Sequence, residues 1–225
     1  MKPRIKLAET LTPEGGRLVL FEQDGAYVIS CDGQELMHSR AAASEILLGE
    51  LGASRVEREG EARILIGGLG LGFTLRAVLA ATGPHTKVEV VELIPDIVAW
   101  NRTMLRALNG ACLDDPRVTV VEADAARVVH ESAPRCYDAM LLDVDNGPVA
   151  MVAPGNAALY STKGLKRVKA ALKPKGHAIF WSAGPDEAFE RRLQRLGFQV
   201  EVVPAKVHER AKREAYRLFV AQAGQ

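Results

Sequence analysis

Cysteine is scarce, with only Cys31, Cys112 and Cys136, odd in number and scattered along the chain. A secreted disulfide framework is therefore excluded, and no pair has the spacing of metal ligands. A surplus of one charge is lacking too, because 29 Lys and Arg stand against 28 Asp and Glu for a net charge of +1. That balance excludes the broad basic field of nonspecific nucleic-acid binding. No uninterrupted apolar run reaches the roughly 18 residues of a membrane helix. The basic opening Met1-Lys2-Pro3-Arg4-Ile5-Lys6 has no apolar stretch after it, so no export signal is expected. The reading at this stage is a cytoplasmic protein with no metal, membrane or nucleic-acid partner.

What is present is an ordinary globular chain of 225 residues, 48% hydrophobic and 25% charged. At that length about 70% of the unfolded surface can be buried, enough for a core without staples. Residues 17–22 and 26–30 flank Asp24-Gly25 and read as a hairpin; Asp32-Gly33 leads to a third strand at 34–37. So thin a sheet must pack on something. Residues 41–51, rich in helix formers, are expected to hold it against the rest of the chain.

Past residue 61 short continuous apolar runs alternate with helical patterns, as in strands buried on both faces. Strands are expected at 63–67, 87–92, 117–122, 139–143, 176–182 and 199–203, and helices at 71–81, 95–108, 125–131, 161–172 and 186–196. The order predicts an α/β, doubly wound, mostly parallel, seven-stranded Rossmann-like sheet. The last run, 216–221, follows a strand with only a polar loop between, which predicts an antiparallel final strand. Two units follow: residues 1–60, a small β region plus helix, and 61–225, a nucleoside-binding catalytic domain.

Ligands of open parallel sheets bind beyond the carboxyl ends of the strands. Four such ends carry candidates. Gly67-Gly68-Leu69-Gly70-Leu71-Gly72 runs from a strand into a helix, with glycines that let backbone N–H groups approach a ligand closely. Glu92 closes the next strand, where an acid can accept both hydroxyls of a ribose. Asp124, followed by Ala125, is placed to cap a helix and to meet an adenine edge. Asp143-Val144-Asp145-Asn146-Gly147-Pro148 ends an apolar strand with more polarity than a turn requires. Asp143 is the candidate catalytic acid and Asp145 a second one. Asn146 and Tyr160 are candidates for substrate binding. The five histidines are dispersed and read as structural or solvated, while Trp181 is either core or a pocket wall.

Together these segments, with Leu36-Met37-His38-Ser39-Arg40 and Ser44-Glu45, resemble the spermidine synthase-like proteins, which share the class I S-adenosylmethionine methyltransferase fold. The resemblance spans about residues 17–222. It implies an alkyl transferase using S-adenosylmethionine or its decarboxylated form as co-substrate, an amine acceptor, no metal, and association of two copies through the N-terminal strands. It places the adenosine on the glycine loop, the ribose on Glu92, the adenine near Asp124, and the nucleophile before Asp143. Three departures bear on the reaction. Aminopropyltransferases of this family have an Asp where Gly70 stands and an acid where Asn146 stands, and their Tyr-His-Glu signature appears here as Ala43-Ser44-Glu45. Aminopropyl transfer is the expectation and methyl transfer to a small molecule the alternative. A nicotinamide-dependent oxidoreductase and a nucleoside-binding protein with lapsed chemistry are the readings from other classes.

Overall fold

The computed structural model describes residues 3–144 and 157–224. Its centre is a seven-stranded sheet of β5 (Arg63–Gly67), β6 (Lys87–Glu92), β7 (Val118–Glu122), β8 (Tyr137–Leu142), β9 (Leu172–Ser182), β10 (Phe198–Ala205) and β11 (Tyr216–Ala223). The strand order is β10-β11-β9-β8-β5-β6-β7. Strands β5 to β9 pair in parallel, whereas β11 runs antiparallel to both β9 and β10. The expected α/β architecture and the reversed last strand are thus observed.

Alternation along each strand divides the interior into two cores. Ile64 and Ile66 face one side with Val88, Val90 and Leu141. Leu65 faces the other with Met140, Leu142, Phe180 and Phe219. The first side is covered by α1 (Ala43–Ser54), α2 (Phe73–Ala81), α3 (Pro95–Arg102) and α4 (Arg106–Asn109). The second is covered by α5 (Ala125–Glu131), α6 (Ala157–Tyr160), α7 (Thr162–Ala171) and α8 (Glu187–Arg195). Both faces being covered explains why these strands read as apolar runs rather than alternating ones. No helix among the described residues is long and apolar enough to cross a membrane.

The single helix expected at 95–108 is broken instead into α3 and α4. Thr103 is the point of fracture: its Oγ1 donates to the Ala99 carbonyl at 2.7 Å and its backbone leaves helical angles, with φ −119° and ψ −93°. A threonine hydroxyl that competes for an i−4 carbonyl weakens a helix at that turn.

The small sheet has four strands, not three: β1 (Ile5–Leu11), β2 (Arg17–Gln23), β3 (Ala26–Cys31) and β4 (Gln34–His38), an antiparallel meander. Both Asp-Gly turns form as expected, with φ of 50° and 73° at Asp24-Gly25 and 49° and 82° at Asp32-Gly33. β1 went unread because its apolar residues do not point inward. Ile5, Leu7 and Leu11 are 54%, 37% and 64% exposed on an edge strand. Leu18, Leu20 and Ile29 of the small sheet join the same core as β5 and β6.

His177, on β9, is buried, and its Nε2 has no hydrogen-bond partner among the described residues. Burial, helped by the nearby Arg55 charge, lowers its pKa from 6.5 to about 4. Between those values the unfolded chain binds a proton that the folded chain refuses, so stability falls as pH drops from 6.5 towards 4. The loss from this residue reaches about 3 kcal/mol. Denaturant melts across that range should show a flatter pH dependence for His177→Gln than for the unaltered chain; equal slopes would assign the loss to other groups.

Candidate active site

The first crossover builds the floor of the site. Gly68 N–H donates to the Val91 carbonyl at 2.8 Å and Asp143 N–H donates to the Gly67 carbonyl at 3.0 Å, so β5, β6 and β8 are stitched together where they end. Gly68 has φ +91°, and a Cβ there would sit on the Asp143 carbonyl oxygen. The glycine loop therefore passes directly over the backbone of the candidate acid. Gly68→Ala should cost about 1–2 kcal/mol in backbone strain alone, with the collision added. A thermal melt should show the loss, and unchanged stability would mean that the loop relaxes freely. Gly70 has φ +52°, and Met37 of β4 places its sulfur 2.9 Å from where a Cβ would be. The small sheet thus closes over the loop at the position where the family resemblance leads one to expect an acid.

A polar bolt underneath holds this loop. Asn101 Nδ2 donates to the Gly70 carbonyl at 2.8 Å, and Asn109 Nδ2 donates to Asn101 Oδ1 at 2.8 Å. Both asparagines are almost fully buried. Sequence reading missed them, although each stands four residues after an apolar core residue, Ile97 and Leu105, and so shares its helix face.

Glu92 ends β6 and is 6% exposed, not solvated. Its Oε2 accepts from Leu69 N–H and its Oε1 from Ile94 N–H, both at 2.9 Å. Burial pushes its carboxyl pKa up, and hydrogen bonds from the backbone of Ile94, Leu69, Gly70 and Leu93 oppose that shift. A carboxylate offers about four lone-pair sites; the two 2.9 Å bonds from Leu69 and Ile94 use two of them and leave two for a ligand's hydroxyls. Asp124 caps α5: its Oδ1 accepts from Ala126 N–H at 2.6 Å and Arg127 N–H at 3.4 Å. Its neighbours Ala123 and Ala125, rather than Asp124 itself, reach the cavity wall.

The cavity encloses about 140 Å³ between these elements. Gly68, Gly70, Glu92, Ala125 and Asp143 all line it, whereas Gly67 and Gly72 support the turn from outside the lining. Val91, Leu93, Ile94, Ile97, Ala123 and Val144 give an apolar slot beside the Glu92 carboxylate. Bare backbone, an acid and an apolar slot are what a nucleoside needs: close approach, hydroxyl acceptors and a place for a planar ring. Leu18, Ile29, Leu36 and Met37 of the small sheet form the roof.

Tyr160 is not on this wall. Its ring packs on Phe180 and Phe189 in the second core, at centroid distances of 6.0 and 5.7 Å, and its OH donates to the Val144 carbonyl at 3.4 Å. Its place beside residues 147–156 suggested substrate contact, but an apolar ring between two phenylalanines follows the core. Asp145 and Asn146 lie outside the described residues.

Three side chains complete the other end. Glu45 of α1 and Trp181 of β9 line the cavity. Tyr216 of β11 packs against Trp181, with ring centroids 4.7 Å apart and the planes tilted by 48°. Burial raises the Tyr216 pKa, and the Glu45 and Asp143 charges raise it further. Among the described lining residues are three carboxylates and no Lys, Arg or His.

A spermine/spermidine synthase domain matches residues 47–190. Polyamine aminopropyltransferase 1 of Streptomyces coelicolor is 37% identical over 124 residues, covering 54% of this chain and 22% of that protein. Putrescine N-methyltransferase 2 of Nicotiana attenuata is 32% identical over 114 residues, 51% of this chain and 29% of that protein. The chain thus spans less than a third of the length of either curated relative. The spermidine synthase of Thermotoga maritima superposes with a TM-score of 0.76 at 20% identity, over 97% of this chain and 73% of that one, a likeness of fold. With the domain match covering well over half of the chain, the protein belongs to the spermine/spermidine synthase family.

Proposed function

We propose that the protein transfers an alkyl group from an adenosine-bearing sulfonium to an amine, with aminopropyl transfer from decarboxylated S-adenosylmethionine as the leading reaction. The observation that carries this reading is the cavity's charge: Glu45, Glu92 and Asp143 line it without a lining cation among the described residues. Such a cavity favours cationic ligands and disfavours anionic ones. When bound, the sulfonium supplies an electrophilic carbon whose leaving group is a neutral thioether.

The protein's own residues supply binding and proton handling. The glycine loop and Glu92 hold the nucleoside, and the slot between Ile94 and Ala125 holds its ring. Asp143, at the end of β8 beneath Gly68, faces the acceptor. An amine with a pKa of about 10 costs roughly 4 kcal/mol to deprotonate at pH 7. A carboxylate that takes that proton and fixes the nitrogen at attack distance offsets part of this cost. The small-molecule acceptor, the homodimer and the cytoplasmic location remain parts of this proposal; exposed Ile5, Leu7 and Leu11 on edge strand β1 support the dimer. Sedimentation at micromolar concentration tests that part, and a lone monomer would remove it.

Methyl transfer from S-adenosylmethionine is the second reading. It is favoured by Met37 covering Gly70 where an acid would hold an aminopropyl amine. Incubation with 1,4-diaminobutane and each donor separately, read by mass spectrometry, decides between them. An aminopropyl adduct supports the first reading and a methyl adduct the second. No adduct with either donor, in a protein that binds the nucleoside, would leave only a nucleoside-binding module.

A further inference from the structure

Among the described residues three buried side-chain polar atoms have no hydrogen-bond partner: Thr86 Oγ1, His177 Nε2 and Trp181 Nε1. Of these residues only Trp181 lines the cavity. It is 8% exposed, and the Tyr216 ring packed against it holds the indole in place. Buried polar atoms are nearly always paired in native proteins. An orphaned N–H on the wall of a binding cavity therefore marks the position of a ligand atom that accepts a hydrogen bond.

The place of Trp181 in the sheet decides which ligand that is. Strands β6, β5, β8 and β9 are successive neighbours. Their carboxyl ends carry, in that order, Glu92, the glycine loop, Asp143 and Trp181. Neighbouring strands lie about 4.8 Å apart, so β9 runs roughly 14 Å from β6. Phe180 pairs with Leu142, which puts Trp181 and Asp143 at the following positions of adjacent strands. Trp181 thus stands beyond Asp143 as seen from the ribose acid, and it meets the acceptor rather than the nucleoside.

The chemistry of the N–H narrows the acceptor further. An indole only donates, and a protonated amine also only donates, so an ammonium group cannot satisfy Trp181. The reacting nitrogen cannot satisfy it either, because its one lone pair is committed to the sulfonium carbon. A carboxylate on the substrate could accept, but Glu45, Glu92 and Asp143 line the cavity without a lining cation among the described residues and disfavour an anion. A neutral oxygen is the partner that remains. We propose that Trp181 Nε1 donates a hydrogen bond to an uncharged oxygen of the acceptor substrate, which makes that substrate an amino alcohol or a similar oxygen-bearing amine. This rests on the function proposed above and assigns a specificity residue to its acceptor.

Calorimetric titration of 4-aminobutan-1-ol, butylamine and 1,4-diaminobutane into the full chain saturated with methylthioadenosine tests this. The amino alcohol should bind about threefold to tenfold more tightly than butylamine, the contribution of one neutral hydrogen bond. Trp181→Phe keeps a ring and removes the N–H, so it should erase that gain while butylamine and diamine affinities stay within about twofold. An amino alcohol that binds no better than butylamine would overturn the proposal, and so would equal losses for all three amines in the Phe variant. If Trp181→Phe fails to fold, the indole N–H resonances of the unaltered chain decide. Trp100 and Trp181 are its two tryptophans, and one indole proton should move downfield with 4-aminobutan-1-ol and stay in place with butylamine. Two unmoved signals would overturn the assignment. A chain that binds no methylthioadenosine defeats the wider reading, and the same spectra recorded without nucleoside still test Trp181.

Discussion

Glu92→Ala should weaken methylthioadenosine binding by about 10²- to 10⁴-fold, since hydrogen bonds to a charged group contribute roughly 1.5–3 kcal/mol each and a ribose diol makes two. The same substitution strips the acceptors from Leu69 N–H and Ile94 N–H. Orphaning these two buried donors costs about 1–3 kcal/mol each. Affinity and stability must therefore be read together, by calorimetry and by a melt without ligand. Glu92→Gln keeps one acceptor oxygen, so it should retain more stability while still losing most of the affinity. If affinity survives in a folded Gln variant, Glu92 is only a strut for the glycine loop and the ribose is held elsewhere.

Asp143→Asn should lower turnover by about 10²- to 10⁴-fold, the usual contribution of a positioned acid or base, with nucleoside affinity within twofold. The substitution is nearly isosteric. The backbone bond from Asp143 N–H to the Gly67 carbonyl does not involve the side chain, so the glycine loop is left standing. A variant that keeps the cofactor and loses the rate would have lost an interaction made in the transition state. Equal losses in turnover and nucleoside affinity would place Asp143 in the cofactor site instead.

The sequence disclosed the architecture where one physical cause dominated. Strands β5, β6 and β8 are covered on both faces, so Ile64–Ile66 and Ala139–Leu142 read as continuous apolar runs, β6 is broken only at Glu89, and the strand ends were placed within about two residues. The Asp-Gly turns were legible because backbone at positive φ selects those residues. Glu92 and Asp143 were legible because both acids terminate apolar strands at the edge where ligands bind.

What escaped depended on tertiary placement. β1 presents its apolar residues to solvent, so no inward pattern marked it. The break at Thr103 comes from a single hydroxyl that competes with the helix backbone. Trp181 and Tyr216 lie on different strands, β9 and β11, and nothing local announces that their rings meet. Tyr160 was drawn to the substrate by adjacency in sequence, and the Phe180 and Phe189 rings drew it into the core.

The most direct test of the account is calorimetric titration of the unaltered chain with methylthioadenosine, which carries the adenosine and thioether without a transferable charge. One site per chain with micromolar or tighter affinity, and a melting temperature that rises with ligand, is the expected result. Absence of heat and of any thermal shift, with S-adenosylmethionine and its decarboxylated form equally silent, would contradict it.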